Sequence, residues 1–128
     1  MIPNFRAYDS GSLSRMYQPD EVMVGNGDIW IIDEDSVAGE WIVNNDLNLM
    51  QSTGLFDRNG KEIFEGDILG TKDGLLNGVV EYKSDLGMWT NSLIRYNNFE
   101  RLCNVANSRE IIGNIYENPE ILEDKKWN

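Results

Sequence analysis

Thr53-Gly54-Leu55-Phe56-Asp57-Arg58-Asn59-Gly60-Lys61-Glu62-Ile63-Phe64-Glu65-Gly66-Asp67-Ile68 is the stretch from which the fold can be read. Its glycines recur at six-residue spacing, and its centre, Asp57-Arg58-Asn59-Gly60, is a strong turn. An Asp carboxylate can accept from backbone N–H groups two residues on, and Asn-Gly supplies left-handed geometry. The three glycines therefore predict three tight turns, and Glu65-Gly66-Asp67-Ile68 predicts entry into a strand. A phosphate-cradling loop does not fit, because the strand–loop–helix context and the Lys-Ser/Thr pair are missing.

Outward toward the C-terminus, short strands alternate with turns. Asp67–Thr71 and Gly78–Lys83 read as strands, the latter rich in β-branched and aromatic residues. The turn Ser84–Gly87 leads to a strand over Met88–Ser92, residues 93–102 are ambiguous between helix and loop, and Glu110–Tyr116 is the last strand. Asn118-Pro119-Glu120 reads as the N-cap and first residues of a helical turn. The tail from Asp124 to Asn128 is expected to fray, with Trp127 an odd residue to leave in water.

Outward toward the N-terminus, Phe5–Tyr8 is a strand closed by the turn Asp9-Ser10-Gly11-Ser12, and Arg15–Tyr17 returns beside it. Pro19, with no N–H to donate, interrupts pairing. Two hairpins are expected: Val22–Val24 with Asp28–Ile32 around Gly25-Asn26-Gly27, and Trp41–Val43 with Leu47–Gln51 around Asn44-Asn45-Asp46. The expected fold is all-β and mostly antiparallel: a hairpin-rich N-terminal lobe over residues 1–52 and a partly open barrel over 53–128.

The chain has 128 residues, room for one domain or two small lobes. With 41% hydrophobic and 26% charged residues it is globular rather than disordered. No apolar run approaches the roughly 20 residues of a membrane-spanning helix. Met1-Ile2-Pro3-Asn4-Phe5-Arg6 lacks the cationic start and apolar stretch of a signal peptide, so a cytoplasmic location is expected. There is no His, which removes the usual general base and metal ligand. Cys103 stands alone and reads as a small core residue, not a nucleophile.

The net charge is −11, and the excess is uneven. Residues 20–46 hold Asp20, Glu21, Asp28, Asp33, Glu34, Asp35, Glu40 and Asp46 and no Lys or Arg. A duplex-binding face needs about 6–10 phosphate contacts, whereas here the 11 cations are scattered. Nucleic acid and membrane are therefore not expected partners. The acidic stretch is either a solvated face or a surface that meets a basic partner. Calcium-loop spacing fails from Asp33, which would need Glu at Asn44, and from Asp57, which would need Glu at Ile68. Trp30, Trp41, Trp89, Tyr82 and Tyr96 fall in strand-like segments, where packing is their ordinary role. No catalytic, cofactor-binding or metal-ligating residue is identified.

Two segments carry a resemblance. Leu49–Ile68 is similar to the central motif of the YopX family of phage and prophage proteins, and Glu110–Glu120 resembles that family's C-terminal motif. Phe5-Arg6-Ala7-Tyr8-Asp9 is similar to its opening, with Tyr8 where the family usually shows Trp. The resemblance covers nearly the whole chain. It implies an all-β protein with an SH3-like barrel in its C-terminal part, carried by phages or their bacterial hosts. It implies no catalytic residue, cofactor or substrate, and the acidic stretch lies in the variable part of the pattern.

The expectation is then a phage accessory protein that works without catalysis through protein contacts, either with itself as a homo-oligomer or with a basic host protein. A nucleic-acid-binding barrel and a carboxylate-dependent hydrolase are the alternatives.

Overall fold

A computed structural model describes residues 4–11, 13–33 and 35–123. Ser12 of the first turn, Glu34 of the acidic stretch and the tail from Asp124 with its Trp127 lie outside the described residues. The protein is all-β and antiparallel, and it divides into two compact units, residues 1–51 and 52–128.

In the first unit, β1 (Phe5–Asp9) pairs with β2 (Arg15–Tyr17) on one side and with the start of β6 (Asn48–Phe56) on the other. Pro19–Glu21 forms a 3₁₀ turn, whose Glu21 carboxylate accepts from the Gln18 N–H at 2.9 Å and from Arg15 at 2.6 Å. A separate three-stranded sheet follows, in the order β3 (Val22–Gly25), β4 (Asp28–Ile32), β5 (Trp41–Val43). Ala7, Tyr17, Val22, Ile31 and Leu47 form the unit's core, with Phe5, Ile29 and Leu49 packed against it.

The first expected hairpin forms, with a tighter turn than the sequence predicts. Gly25 pairs with Asp28, leaving Asn26 and Gly27 at φ 53° and 79°. Two left-handed residues match the right-handed strand twist better than a three-residue loop would.

The second expected hairpin does not form. β5 pairs with β4, and β6 pairs with β1 and with Glu62–Phe64. The linking Asn44-Asn45-Asp46 is bonded back onto the start of β4. Asn44 N–H donates to Ile29 O at 2.8 Å, Ile29 N–H donates to Asn45 Oδ1 at 2.8 Å, and Asn45 Nδ2 donates to Asp28 Oδ1 at 2.9 Å. These bonds make the segment a stapled crossover, and the side chains that suggested a turn serve it.

In the second unit, the end of β6 pairs with β7 (Glu62–Phe64). Gly54, at φ 77°, sits inside β6 where the register shifts between Ser52 and Phe56, so it makes a bulge and not the expected tight turn. A five-stranded antiparallel sheet follows, in the order β11 (Phe99–Arg101), β10 (Met88–Leu93), β9 (Gly78–Lys83), β8 (Asp67–Gly70), β12 (Glu110–Asn114). Between β11 and β12 lie the one-turn α1 (Leu102–Val105) and a 3₁₀ turn, Ala106–Ser108. Four meandering strands, a 3₁₀ turn and a last strand returning to the first are the order of an SH3-like, partly open barrel. Its core is Ile63, Leu69, Val80, Leu102 and Ala106, with Leu55, Trp89 and Ile111 against it.

The ambiguous residues 93–102 resolve into the end of β10, a loop, β11 and the start of α1. In α1 Leu102 takes the core position, fully buried, and the next residue, Cys103, is exposed. This corrects the expectation of a buried thiol, because adjacent helical residues face different sides. Pro19 and Pro119 each open a 3₁₀ turn. Asn118 precedes the second of these, but its Oδ1 accepts from Asn114 N–H at 3.1 Å.

Candidate functional site

The polar side chains of the fold-deciding motif are engaged inside the second unit. Asp57 Oδ1 accepts from the N–H groups of Asn59 at 2.8 Å and Lys61 at 2.9 Å, and its Oδ2 accepts from Ile111 N–H at 3.0 Å. Arg58 N–H donates to Arg109 O at 2.8 Å, and Asn59 Nδ2 to Glu110 Oε1 at 3.1 Å. The turn thus clasps the start of β12, which joins the central and C-terminal motifs in one structure. Burial alone would push the Asp57 carboxyl up. The N–H groups of Ile111, Lys61 and Asn59, with the charge of Lys61, outweigh burial and hold it below its ordinary value.

Asp67, buried, accepts from Phe64 N–H at 2.8 Å. Asn114 Oδ1 accepts from Tyr116 and Glu117 N–H at 3.0 and 2.8 Å. Arg109 grips Glu100 with two parallel bonds, 2.6 and 2.8 Å, and Asn91 Nδ2 adds a third at 3.0 Å. The Arg109 bonds first, and Asn91 with them, hold the Glu100 carboxyl below the usual range against the opposing effect of burial. Asn91 lies against Gly78, where a Cβ would come within 2.3 Å of its Oδ1. Each of these residues is employed in holding the fold.

The same unit carries an open groove of about 430 Å³ lined by Glu81, Lys83, Ser92, Tyr96 and Phe99 among others. Glu81 accepts a short hydrogen bond from Ser92 Oγ and faces Lys83 Nζ at 3.6 Å, and that ammonium lies 5.4 Å from the Phe99 ring centre. Among the described residues Glu81 is the one carboxylate lining the groove, so the two-carboxylate pair of a glycosidase-type hydrolase is not assembled there. No group of three His, Cys, Asp or Glu side chains gathers at metal-holding distance among the described residues. Among them, too, no helix is long and apolar enough to cross a membrane.

The first unit is built differently. Cross-strand partners share a face of a sheet. One face of the three-stranded sheet therefore carries Val22 opposite Ile31 opposite Ile42, with Ile29 opposite Val24. Val22 and Ile31 are buried in the unit's core, which makes this the inner face. The outer face carries Met23 opposite Trp30 opposite Val43, and Ile32 opposite Trp41. All five are large and apolar, and Met23, Trp41 and Val43 are 45%, 37% and 44% exposed. A sheet with one solvated face ordinarily alternates apolar with polar residues; here both faces are apolar. The legible signal was the unbroken apolar run in β4 and β5, Ile29 to Ile32 and Trp41 to Val43.

The expected acidic surface 20–46 is carried by this sheet and its connections. Its described members do not form one cluster. Glu21 is paired with Arg15, Asp28 is bonded to Asn45, and Asp33 and Asp35 border a groove of about 340 Å³ together with Asp9 of β1. Asp9 lies outside the stretch the sequence singled out; it comes from a strand of the other sheet of this unit. Of the five aromatics read as packing residues, Tyr82 and Trp89 stack edge-on across β9 and β10 with centres 5.2 Å apart. Trp41, Tyr82 and Tyr96 are nonetheless exposed.

The model of one protein family, described as YopX protein, matches residues 4–123. Two crystal structures are similar in fold. Protein EF1440 from Enterococcus faecalis shares 26% identity at TM-score 0.58, covering 95% of this chain and 99% of the other. Protein yopX from Bacillus subtilis shares 18% identity at TM-score 0.57, covering 92% and 96%. No curated protein matches the chain.

Proposed function

The chain belongs to the YopX family, and from that premise we propose that it is a phage or prophage accessory protein acting through protein–protein contacts, without catalysis. The observation that carries this reading is the apolar outer face of the three-stranded sheet, on which Met23, Trp41 and Val43 are exposed beside the half-buried Trp30 and Ile32. Contiguous apolar surface beyond a few hundred Å² is rare on a protein with no partner and marks an interaction site. The engagement of the motif side chains in internal bonds supports the same reading, since it leaves them a structural role. The site of action is the bacterial cytoplasm, and the partner is a protein.

The test is affinity purification of the tagged chain from a bacterial host at low salt, with and without nuclease, beside the Trp41→Thr/Val43→Thr variant. Threonine keeps the strand and removes the apolar surface. A stoichiometric, identified protein that survives nuclease and is lost from the variant is the expected result. Nucleic acid, or partners that vanish with nuclease, would replace this reading with the nucleic-acid-binding one.

A further inference from the structure

The groove of the first unit lies under the edge of the same sheet. Its apolar lining comes from Leu13, Tyr17, Ile31, Ile42 and, where β4 ends, Ile32, and Asp9, Asp33 and Asp35 stand around it. Ile42 explains the opening: it lies on the inner face of its sheet yet stays 42% exposed. The strands that supply Tyr17 and Ile42, β2 and β5, are both the end strands of their sheets, so no further strand covers the lining.

The carboxylates are available. Asp9 and Asp33 each use one oxygen to accept a local backbone N–H, from Gly11 at 2.8 Å and Asp35 at 3.0 Å. Among the described residues no Lys or Arg lines the groove. Arg15, opposite Asp9 across β1 and β2, lies 4.3 Å over the Tyr17 ring centre and is bonded to Glu21 at 2.6 Å.

An apolar lining ringed by carboxylates fits one kind of side chain. Lys and Arg carry a hydrocarbon stem that lies on apolar surface and a cationic head that seeks carboxylates. A second copy of this unit is repelled, since residues 1–51 hold nine acidic and two basic side chains. A nucleic-acid strand is repelled for the same reason.

We propose that this groove docks an extended, basic segment of the partner protein, its Arg or Lys stems against Leu13, Ile32 and Ile42 over a floor of Tyr17 and Ile31, and its charged heads against Asp9, Asp33 and Asp35. The free edges of β2 and β5 suit an extended segment, which can pair its backbone while alternate side chains enter the groove. The inference rests on the protein-contact reading and names the chemistry of the contact.

The test is binding of a fluorescent peptide of about ten residues, alternating Arg and Val, compared with its Glu–Val counterpart. Proteins are the wild type, the groove variant Asp9→Asn/Asp33→Asn/Asp35→Asn, and the charge-matched control Asp73→Asn/Asp85→Asn/Glu120→Gln. Expected are binding of the Arg peptide alone, weakening of about tenfold or more between about 20 and 200 mM salt, and a comparable loss in the groove variant only. In ¹⁵N spectra the wild type should shift at Asp9, Leu13, Tyr17, Ile31, Asp33 and Ile42. Equal losses in both variants, shifts confined to the second unit, or no binding at low salt would overturn the groove. The spectra of the wild type decide the matter even where the triple variant does not fold. A partner captured through Trp41 and Val43 and unaffected by the groove variant would sink this inference alone, whereas no partner in either experiment would sink the protein-contact reading itself.

Discussion

The two units differ in charge balance and in where their exposed apolar side chains lie. Residues 52–128 hold thirteen acidic and nine basic side chains, a net charge of −4, and many of them are tied to one another or to the backbone. Residues 1–51 hold nine acidic and two basic, a net −7 in fewer residues, and leave Met23, Trp41 and Val43 exposed on one sheet face. Internal bonding makes a scaffold rigid, and an unbalanced surface is what a partner can read. On the function proposed above, the barrel supports the first unit and the first unit meets the partner.

The comparison can be broken most directly at Asp57. Asp57→Ala strands three backbone donors, so a loss of about 3 kcal/mol or more in urea unfolding is expected. A loss below about 1 kcal/mol would mean that the clasp between the two motifs is incidental. Next is Arg109→Met, which leaves Glu100 half-buried with only Asn91 as a partner and should cost about 2 kcal/mol. Adding Glu100→Leu to it should recover much of the loss in the same measurement.

Acid provides the third test. The folded-state carboxyls of Asp57 and Glu100 are held below their ordinary values. Their stabilising contribution is therefore complete above the unfolded values of about 4 and is lost as pH falls through the depressed folded ones. Denaturant midpoints of the wild type should decline below about pH 4, and Asp57→Asn should flatten that decline. The smallest stability effect belongs to the other unit: Val43→Thr on the open face should change stability by about 0.5 kcal/mol or less while weakening partner capture. A large loss of stability there would mean that the face is structural, and the contrast between the units would fail.

Much of the fold was legible because turn chemistry is local. Asp57 to Gly60 and Asn26-Gly27 form turns from interactions within a few residues. Asn44-Asn45-Asp46 has the same turn-forming composition and became a crossover, because its best hydrogen-bond partners were Asp28 and Ile29, far away in sequence. Cys103 was misread for a related reason: in one turn of helix only Leu102 can face the core. The acidic stretch could be read, but not its division between Asp33 and Asp35 at the groove, Glu21 paired with Arg15 and Asp28 bonded to Asn45.

From its residue order alone this chain is all-β, acidic, punctuated by glycine, and lacking in histidine, since composition and short-range turn geometry need no distant contact. Which strands are neighbours, which apolar residues stay in water, and that Asp9 joins Asp33 and Asp35 around one groove came only with the tertiary structure. Strand pairing selects among many compatible edges by long-range packing, and a one-residue change of register would exchange the two faces of the sheet.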